Sequence, residues 1–341
     1  MGVDLGELFP KTTCSYTDFS GRIIAIDAYN VIHQFLAIIR QQDGTPLKDA
    51  NGHITSHLSG LFFRTSNLVE AGIKPVYVFD GTPHLLKART IDERRKRRLE
   101  AETAYQAALA AGDLATAKSK ASQTSRMTDD ILTESKELLL ALGIPYVQAP
   151  SEGEAQASVM VQQGSAYAVG SQDFDCLLFG TPLLIRNLTS SERRKLPGKQ
   201  AYVKVLPELL RLDQGLTANG ITREQLVDIA IMLGTDFNDG IKGYGPKKSL
   251  TAIKEHGTLE HFLQAHPDIT LSLDEVNLIR SLFLQPQVTT DYTLKWTPPD
   301  TGKVKQVLCE DHQFSESRVA PALEKFLKAE YLLKQRNLFD F

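Results

Sequence analysis

Seven acidic side chains stand where apolar runs end: Asp27 in IAIDA, Asp80 in VYVFD, Glu152 and Glu154 in PSEGEA, Asp173 and Asp175 in SQDFD, and Asp236 in LGTDF. Carboxylates crowded into a partly buried site resist ionisation unless cations accompany them. Oxygen-only donors suit the hard ions Mg²⁺ and Mn²⁺. Seven carboxylates exceed what one Mg²⁺ takes and suit two ions, roughly 4 Å apart, of the kind that clamp the attacking and leaving oxygens of an in-line phosphoryl displacement. The ExE and DxD pairs, taken singly, read equally well as helix caps or turns. Their joint placement carries the argument.

Cations follow one of these acids closely. Lys87 opens a run holding Arg89, Arg94, Arg95, Lys96, Arg97 and Arg98. Smaller basic patches are Arg193-Arg194-Lys195 with Lys199, and Lys242 with Lys247-Lys248. In the last, Gly243-Tyr244-Gly245-Pro246-Lys247-Lys248 reads as a tight turn opening a helix at Pro246, a residue suited to the first helical position. Backbone N–H groups at such a helix start hold phosphate oxygens, and the lysines just inside add charge. The plain alternative is a simple helix–helix turn.

Other catalytic systems are weakly represented. The chain has no GxSxG, no P-loop and no HExxH. His53 and His57 are spaced i,i+4 without a third ligand, so they read as a surface helix face rather than a zinc site. Cys309-x-x-His312 lacks partners, and Cys176 reads as core.

The elements that must position the acids follow from periodicity. Arg22–Ala28, Pro75–Gly81 and Ala166–Asp175 read as short apolar strands ending in aspartate. Helical patterns over Val31–Arg40, Ser56–Ala71 and Asp129–Leu142 alternate with them. That alternation predicts an α/β fold with a mainly parallel sheet flanked by helices, and ligands outside the carboxyl ends of the strands. Residues from Ile91 to about Met127 are rich in Ala, Arg, Lys and Glu, with helix propensity but little apolar face; they predict a protruding helical insertion over the site. A further helix is predicted over Thr222–Leu233, one opening at Pro246 with three more following it to Leu284, a Pro-rich loop near Trp296–Pro299, and a last helix over about Glu316–Leu333.

Composition sets the outer bounds. The chain has 341 residues, 42% of them hydrophobic, enough for one large body with an appended lobe. Net charge is only -3, so any nucleic-acid affinity must come from local patches. Three scattered cysteines form no disulfide framework, which fits a reducing compartment. No apolar run is long enough for a membrane span, and no signal-peptide pattern opens the chain.

These motifs together resemble the flap endonuclease family, the structure-specific 5′ nucleases of XPG type. MGVDLGEL, IAIDAYNVIHQFL, ITSHLSGLFFRT, GIKPVYVFDG, GIPYVQAPSEGEAQA, SQDFDCLLFG, RNLT, KLPG, LGTDFN and GIKGYGPKKS occur in family order over essentially the whole chain. The resemblance implies a PIN-like, Rossmann-related core, a helical arch and a helix–two-turn–helix lobe with a K⁺ ion. It implies cleavage of 5′ flap DNA by two Mg²⁺, with Mn²⁺ as substitute, 5′-3′ exonuclease action, and roles in lagging-strand maturation and long-patch base excision repair. It makes Asp27, Asp80, Glu152, Glu154, Asp173, Asp175 and Asp236 the metal acids, with Glu152 and Asp236 also beside DNA. Lys87 and Arg94 match cations at the arch base that touch the scissile phosphate. Arg40, Arg64, Arg186, Gly234, Gly243, Gly245, Lys247 and Lys248 match DNA-contacting positions. His33 stands where relatives carry Tyr, which would stack on a base; an imidazole is smaller and can be charged.

The organisation implied is a nuclease region 1–98, an arch 84–128, an internal nuclease region 116–258 with the helix–two-turn–helix at 220–258, a helical region 259–334 and a tail 333–341. In that tail Gln335, Leu338, Phe339 and Phe341 resemble the box that docks replication proteins on a sliding clamp (PCNA). Gln335–Phe341 is expected to be extended or disordered until it binds. The chain ends without the long basic tail of eukaryotic members, which points to an archaeal source and the cytoplasm, or the nucleus if eukaryotic. The competing reading is a clamp-docked DNA-junction binder without strong nuclease activity, which has no use for seven mutually repelling acids.

Overall fold

Two adjacent strands show how the core is partitioned. In Ile23–Asp27, Ile24 and Ile26 turn to one face while Ala25 turns to the other; in Lys74–Phe79, Tyr77 and Phe79 oppose Val76 and Val78. All six of these side chains up to Val78, and Phe79 beside them, are buried, because helices cover both faces of the sheet. The computed structural model describes residues 2–190, 193–195 and 202–339, without the side chains of 193–195, 202 and 330–339.

The strands are β1 (Thr12–Thr13), β2 (Ile23–Asp27), β3 (Lys74–Phe79), β4 (Tyr146–Gln148), β5 (Ala168–Gly170), β6 (Leu183–Arg186), β7 (Arg193–Lys195), β8 (Tyr202–Lys204) and β9 (Glu208–Arg211). Seven form one sheet in the order β1-β9-β6-β5-β2-β3-β4, and β7-β8 make a separate ribbon. β2 to β6 are parallel neighbours, whereas β9 runs antiparallel to both β6 and β1. From β2 the chain proceeds to β3 and β4 on one side, then returns to place β5 on the other. The reversal leaves a crevice at the carboxyl ends of β2 and β5, where open α/β sheets bind ligands.

On one face lie α1 (Ala28–Ile38), α2 (Ser56–Glu70), α5 (Asp129–Ala141) and the long α14 (Glu316–Phe339). α3 (Ala88–Ala110) and α4 (Leu114–Ala121) form the insertion, joined by a small cluster of Tyr105, Ala108, Ala117 and Ala121. The other face is covered by α6 (Gly153–Gln162), α7 (Asp175–Leu178), α8 (Leu212–Asn219) and α9 (Arg223–Leu233). The lobe continues through α10 (Pro246–His256), α11 (Leu259–Ala265) and α12 (Leu273–Leu284). A 286–300 connection then crosses back, with Trp296 Nε1 donating to Pro75 O at 2.9 Å, before α13 (Thr301–Lys305) and a π-helical turn, Gln306–Asp311.

Three expectations need correction. The third predicted strand stops at Gly170, so Asp173 stands in a loop and Asp175 opens α7. The Ser171 hydroxyl takes up the amide of Asp173 at 3.2 Å, which turns the chain out of the sheet. The last helix does not end near Leu333, and the tail from Gln335 is not extended: the backbone is helical to Phe339, since Glu, Lys, Ala and Leu dominate from Glu324 onward and no breaker intervenes. The side chains of Gln335, Leu338 and Phe339, and all of Phe341, lie outside the described residues. His57 is not on a surface helix face but fully buried in α2, and His53 precedes that helix.

Candidate active site

Asp27 ends β2 and caps α1, its Oδ1 accepting from Asn30 N at 3.0 Å. Asp80 follows β3, and its Oδ1 accepts from Gly153 N at 2.6 Å. Glu152 is the N-cap of α6, and Glu154 lies in its first turn. Asp175 begins α7 and accepts from Val3 N at 2.8 Å. Asp236 follows α9 after Gly234. Strand ends (Asp27, Asp80), helix starts (Glu152, Glu154, Asp175) and two loops (Asp173, Asp236) thus place the seven acids around one crevice, and the N-terminus of α6 favours negative charge there.

The acids act on each other. Burial first, then Asp80 and Asp173, push Asp27 up to about 8. Burial and Asp173 raise Asp175 to about 7, and burial and Glu152 raise Asp80 to about 6. Glu154 is pushed well up by burial, then by Asp27, Asp175 and Asp173. Burial would raise Asp236 too, but Lys87 and Arg94 outweigh it and hold that carboxyl below its usual range. Lys87 Nζ lies 2.5 Å from Glu152 and 3.4 Å from Asp236, and Arg94 lies 2.5 Å from Asp236. Burial opposes the charge on Lys87, yet Glu152 and Asp236 raise its pKa.

Two cations therefore face seven carboxylates, of which Asp27 and Asp175 are buried and the others half-buried. That donor set, all oxygen and with Asp27, Asp80, Glu154 and Asp175 pushed toward protonation, fits hard divalent ions. A carboxyl whose folded pKa exceeds its unfolded value of about 4 contributes stability that is complete below that pH and lost as pH rises through the folded value. For Asp80, Asp175 and Asp27 the loss falls between about pH 4 and about 8. The expected result is that Mg²⁺ raises the melting temperature of metal-free protein more at pH 8 than at pH 5.5. An equal rise at both would remove the coupling.

The insertion is tied to this crevice at its base. Thr90 Oγ1 donates to Asp236 O at 2.7 Å, and Arg89 pairs with Asp239. Arg95, Lys96 and Arg97 are exposed on α3, and Arg98 is half-buried. His33, on the outer side of α1, is influenced by Arg94, Arg98 and Asp173; partial desolvation first, then both arginines, lower its pKa.

Other basic positions are more engaged than a count of charges suggests. Arg40 donates to Leu36 O, Gly44 O and Ser125 Oγ, each at 2.9 Å, tying α1 to the insertion's far end. Arg186 donates to Gln172 O at 3.1 Å and lies 4.3 Å over the Phe174 ring, so it braces the loop carrying Asp173 and Asp175. Arg64, half-buried on α2, makes no ion pair among the described residues. Gly234 has φ +95°, and a Cβ there would meet Asp239 O at 2.8 Å. Gly243 turns the chain at φ +85°, and Gly245 caps α10 ahead of Pro246. Lys247 is 80% exposed, 3.4 Å from Glu7, and Lys248 lies 3.9 Å over the Tyr244 ring.

Sequence reasoning passed over the residues that hold the acids. Asn30 donates to Asp173 at 2.9 Å and so links two of them; its signal was the i,i+3 spacing from Asp27. Ser171 Oγ lies 3.3 Å from both Asp27 and Glu154. Gly2 packs so closely on Asp175 that a Cβ would lie 2.3 Å from Oδ1, a contact no local pattern announces.

Comparison with known proteins agrees with this geometry. Residues 8–101 match the XPG N-terminal domain and residues 143–236 the XPG I-region. Flap endonuclease 1 of Archaeoglobus fulgidus is 52% identical over 329 residues, 96% of each chain. That of Pyrococcus abyssi is 49% identical over 339 residues, 99% of this chain and 97% of the relative. The flap endonuclease-1 structure from Methanococcus jannaschii superposes with a TM-score of 0.76 at 37% identity, covering 96% of this chain and 98% of its own. The catalytic core of Rad2 in complex with DNA substrate gives 0.71 at 25% identity, covering 94% and 97%.

Proposed function

The chain belongs to the flap endonuclease family, and on that premise we propose that it is a divalent-metal-dependent hydrolase cutting 5′ flaps from branched DNA, with 5′-3′ exonuclease action. Such an activity serves lagging-strand maturation and long-patch base excision repair. The observation that carries the reading is the convergence of seven carboxylates with Lys87 and Arg94 at the sheet's switch point. Asp27, Asp80, Glu152, Glu154, Asp173, Asp175 and Asp236 would hold two Mg²⁺ (or Mn²⁺), which supply a more acidic water and stabilise the leaving oxygen. Asn30, Ser171 and the Val3 amide keep the acids oriented. Lys87 and Arg94 exchange carboxylate partners for the scissile phosphate and stabilise charge growing on its oxygens. The arch, 84–128, guides the single strand.

Gly243–Lys248 is the duplex-holding element in this reading, with a K⁺ at the helix–two-turn–helix. Lys247→Ala with Lys248→Ala weakens every duplex-bearing substrate and flattens the dependence of log affinity on log salt by about one unit per lost phosphate contact. Titrations at several salt concentrations check this; an unchanged slope removes the hairpin from the DNA path.

The sliding clamp (PCNA) is the protein partner proposed for Gln335–Phe341, on the strength of its sequence. Deleting Leu338–Phe341 leaves cleavage without clamp unchanged and abolishes clamp stimulation; a lowered melting temperature in the deletion would assign the segment to the fold instead. No helix among the described residues is long and apolar enough to cross a membrane. The nuclease reading as a whole is tested by offering labelled double-flap DNA, single-stranded DNA and an RNA hairpin with Mg²⁺. Preferred cutting at the flap base supports it, and preference for RNA or binding without cutting refutes it.

A further inference from the structure

We propose that Asp49, His53 and His312 form a second metal site, separate from the carboxylate crevice, that takes Zn²⁺ and fastens the loop after α1 to the segment before α14. Asp49 Oδ2 lies 3.2 Å from His53 Nδ1 and 3.2 Å from His312 Nδ1, and the three donor atoms all fall within 4.8 Å of one another. Zn–N and Zn–O bonds of about 2.0–2.2 Å at a tetrahedral ion separate neighbouring ligand atoms by roughly 3.3 Å. The two measured spacings match that figure, and two imidazoles with one carboxylate favour Zn²⁺ over Mg²⁺.

The surroundings are those of a supported site. Asp49 Oδ1 accepts from Asn51 N and His53 N, both at 2.9 Å, which leaves Oδ2 turned to the imidazoles. The Asp49 side chain is fully buried while that of His53 is 65% exposed, giving an ion a path in and room for a water ligand. With Nδ1 on the metal, His312 carries its proton on Nε2, which faces Glu134 Oε1 at 3.8 Å; a carboxylate behind a ligating imidazole is the usual outer partner. Behind Glu134 stands His57, fully buried, its Nε2 2.8 Å from Glu134 Oε2. His312 directly follows the π-helical turn, a form that often marks functional positions. Next to it Gln313 Oε1 accepts from Ala50 N at 2.6 Å and holds the same two segments in register.

The sequence separation from Asp49 to His312 is 263 residues, so an ion here closes a very long loop and binds only the folded chain. None of its ligands belongs to the crevice, and the proposal stands or falls apart from the nuclease reading. The test is a Zn²⁺ titration of the full chain with millimolar Mg²⁺ present to fill the carboxylate crevice, repeated with Co²⁺ to record its visible spectrum. Wild type is expected to take one equivalent, to give the intense bands of four-coordinate Co²⁺, and to melt at higher temperature with Zn²⁺. His53→Ala, at an exposed position that tolerates truncation, and separately His312→Gln, should weaken uptake by more than the roughly 10–100-fold that loss of an outer partner causes, and Glu134→Gln by an amount within that range. No stoichiometric uptake by wild type, or uptake by both histidine variants as tight as that of wild type, overturns the site.

Discussion

Asp175→Asn is expected to slow single-turnover cleavage of flap DNA by at least about 10³-fold while leaving affinity for the same DNA nearly unchanged. The substitution keeps the shape of the side chain and an oxygen to accept from Val3 N. What it removes is one negative charge from a crevice whose acids are coupled, since Asp175 feels Asp173 and Asp236 and in turn raises Glu154. On the proposed reading that charge would act on bound metal and so on the transition state, whereas phosphate contacts spread over the basic surface would carry affinity. Asp80→Asn should behave alike, because its other task, accepting from Gly153 N, also survives. Rapid-quench rates at saturating protein, paired with binding isotherms in Ca²⁺, separate the two effects. Near-normal cleavage by either variant would contradict the two-metal reading.

Lys87→Ala and Arg94→Ala should each cost about 10²–10³ in the chemical step, with a much smaller change in affinity. Lys87 is mostly buried between Glu152 and Asp236, so on the proposed reading it would act on one phosphate rather than attract DNA from afar. Arg94 is more exposed and reaches Asp236 from the first turns of α3. Removing either also lets the Asp236 carboxyl rise from its lowered pKa. A pure loss of affinity would make them solvated charges of the arch.

Much of this was legible because it is local. Alternation in Ile24–Ile26 and Val76–Phe79 announces strands buried on both faces, and an aspartate ending each run announces the crevice. Gly245-Pro246 announces the start of α10. What escaped depends on contacts distant in sequence. Nothing near Gly2 says that it will pack on Asp175, and nothing near Asp49 says that His312 will arrive beside it. Arg40 and Arg186 show their charge in the sequence but not the carbonyls that occupy it. Ala166–Asp175 read as one strand because its apolar start hides the turn that Ser171 makes. In the tail the opposite holds: the clamp-box pattern implies an extended backbone, and strong local helix propensity overrides it as far as Phe339.

The central claim is that the seven acids form a two-ion centre. It is tested most directly by growing crystals of the protein with Mn²⁺ and mapping anomalous scattering in the crevice. The account predicts two peaks there, about 3.5–4 Å apart, with oxygens of the acids from Asp27 to Asp236 around them, and their loss or weakening in Asp175→Asn. A crevice with no peak, or a single ion whose position and occupancy are the same in Asp175→Asn, would contradict it.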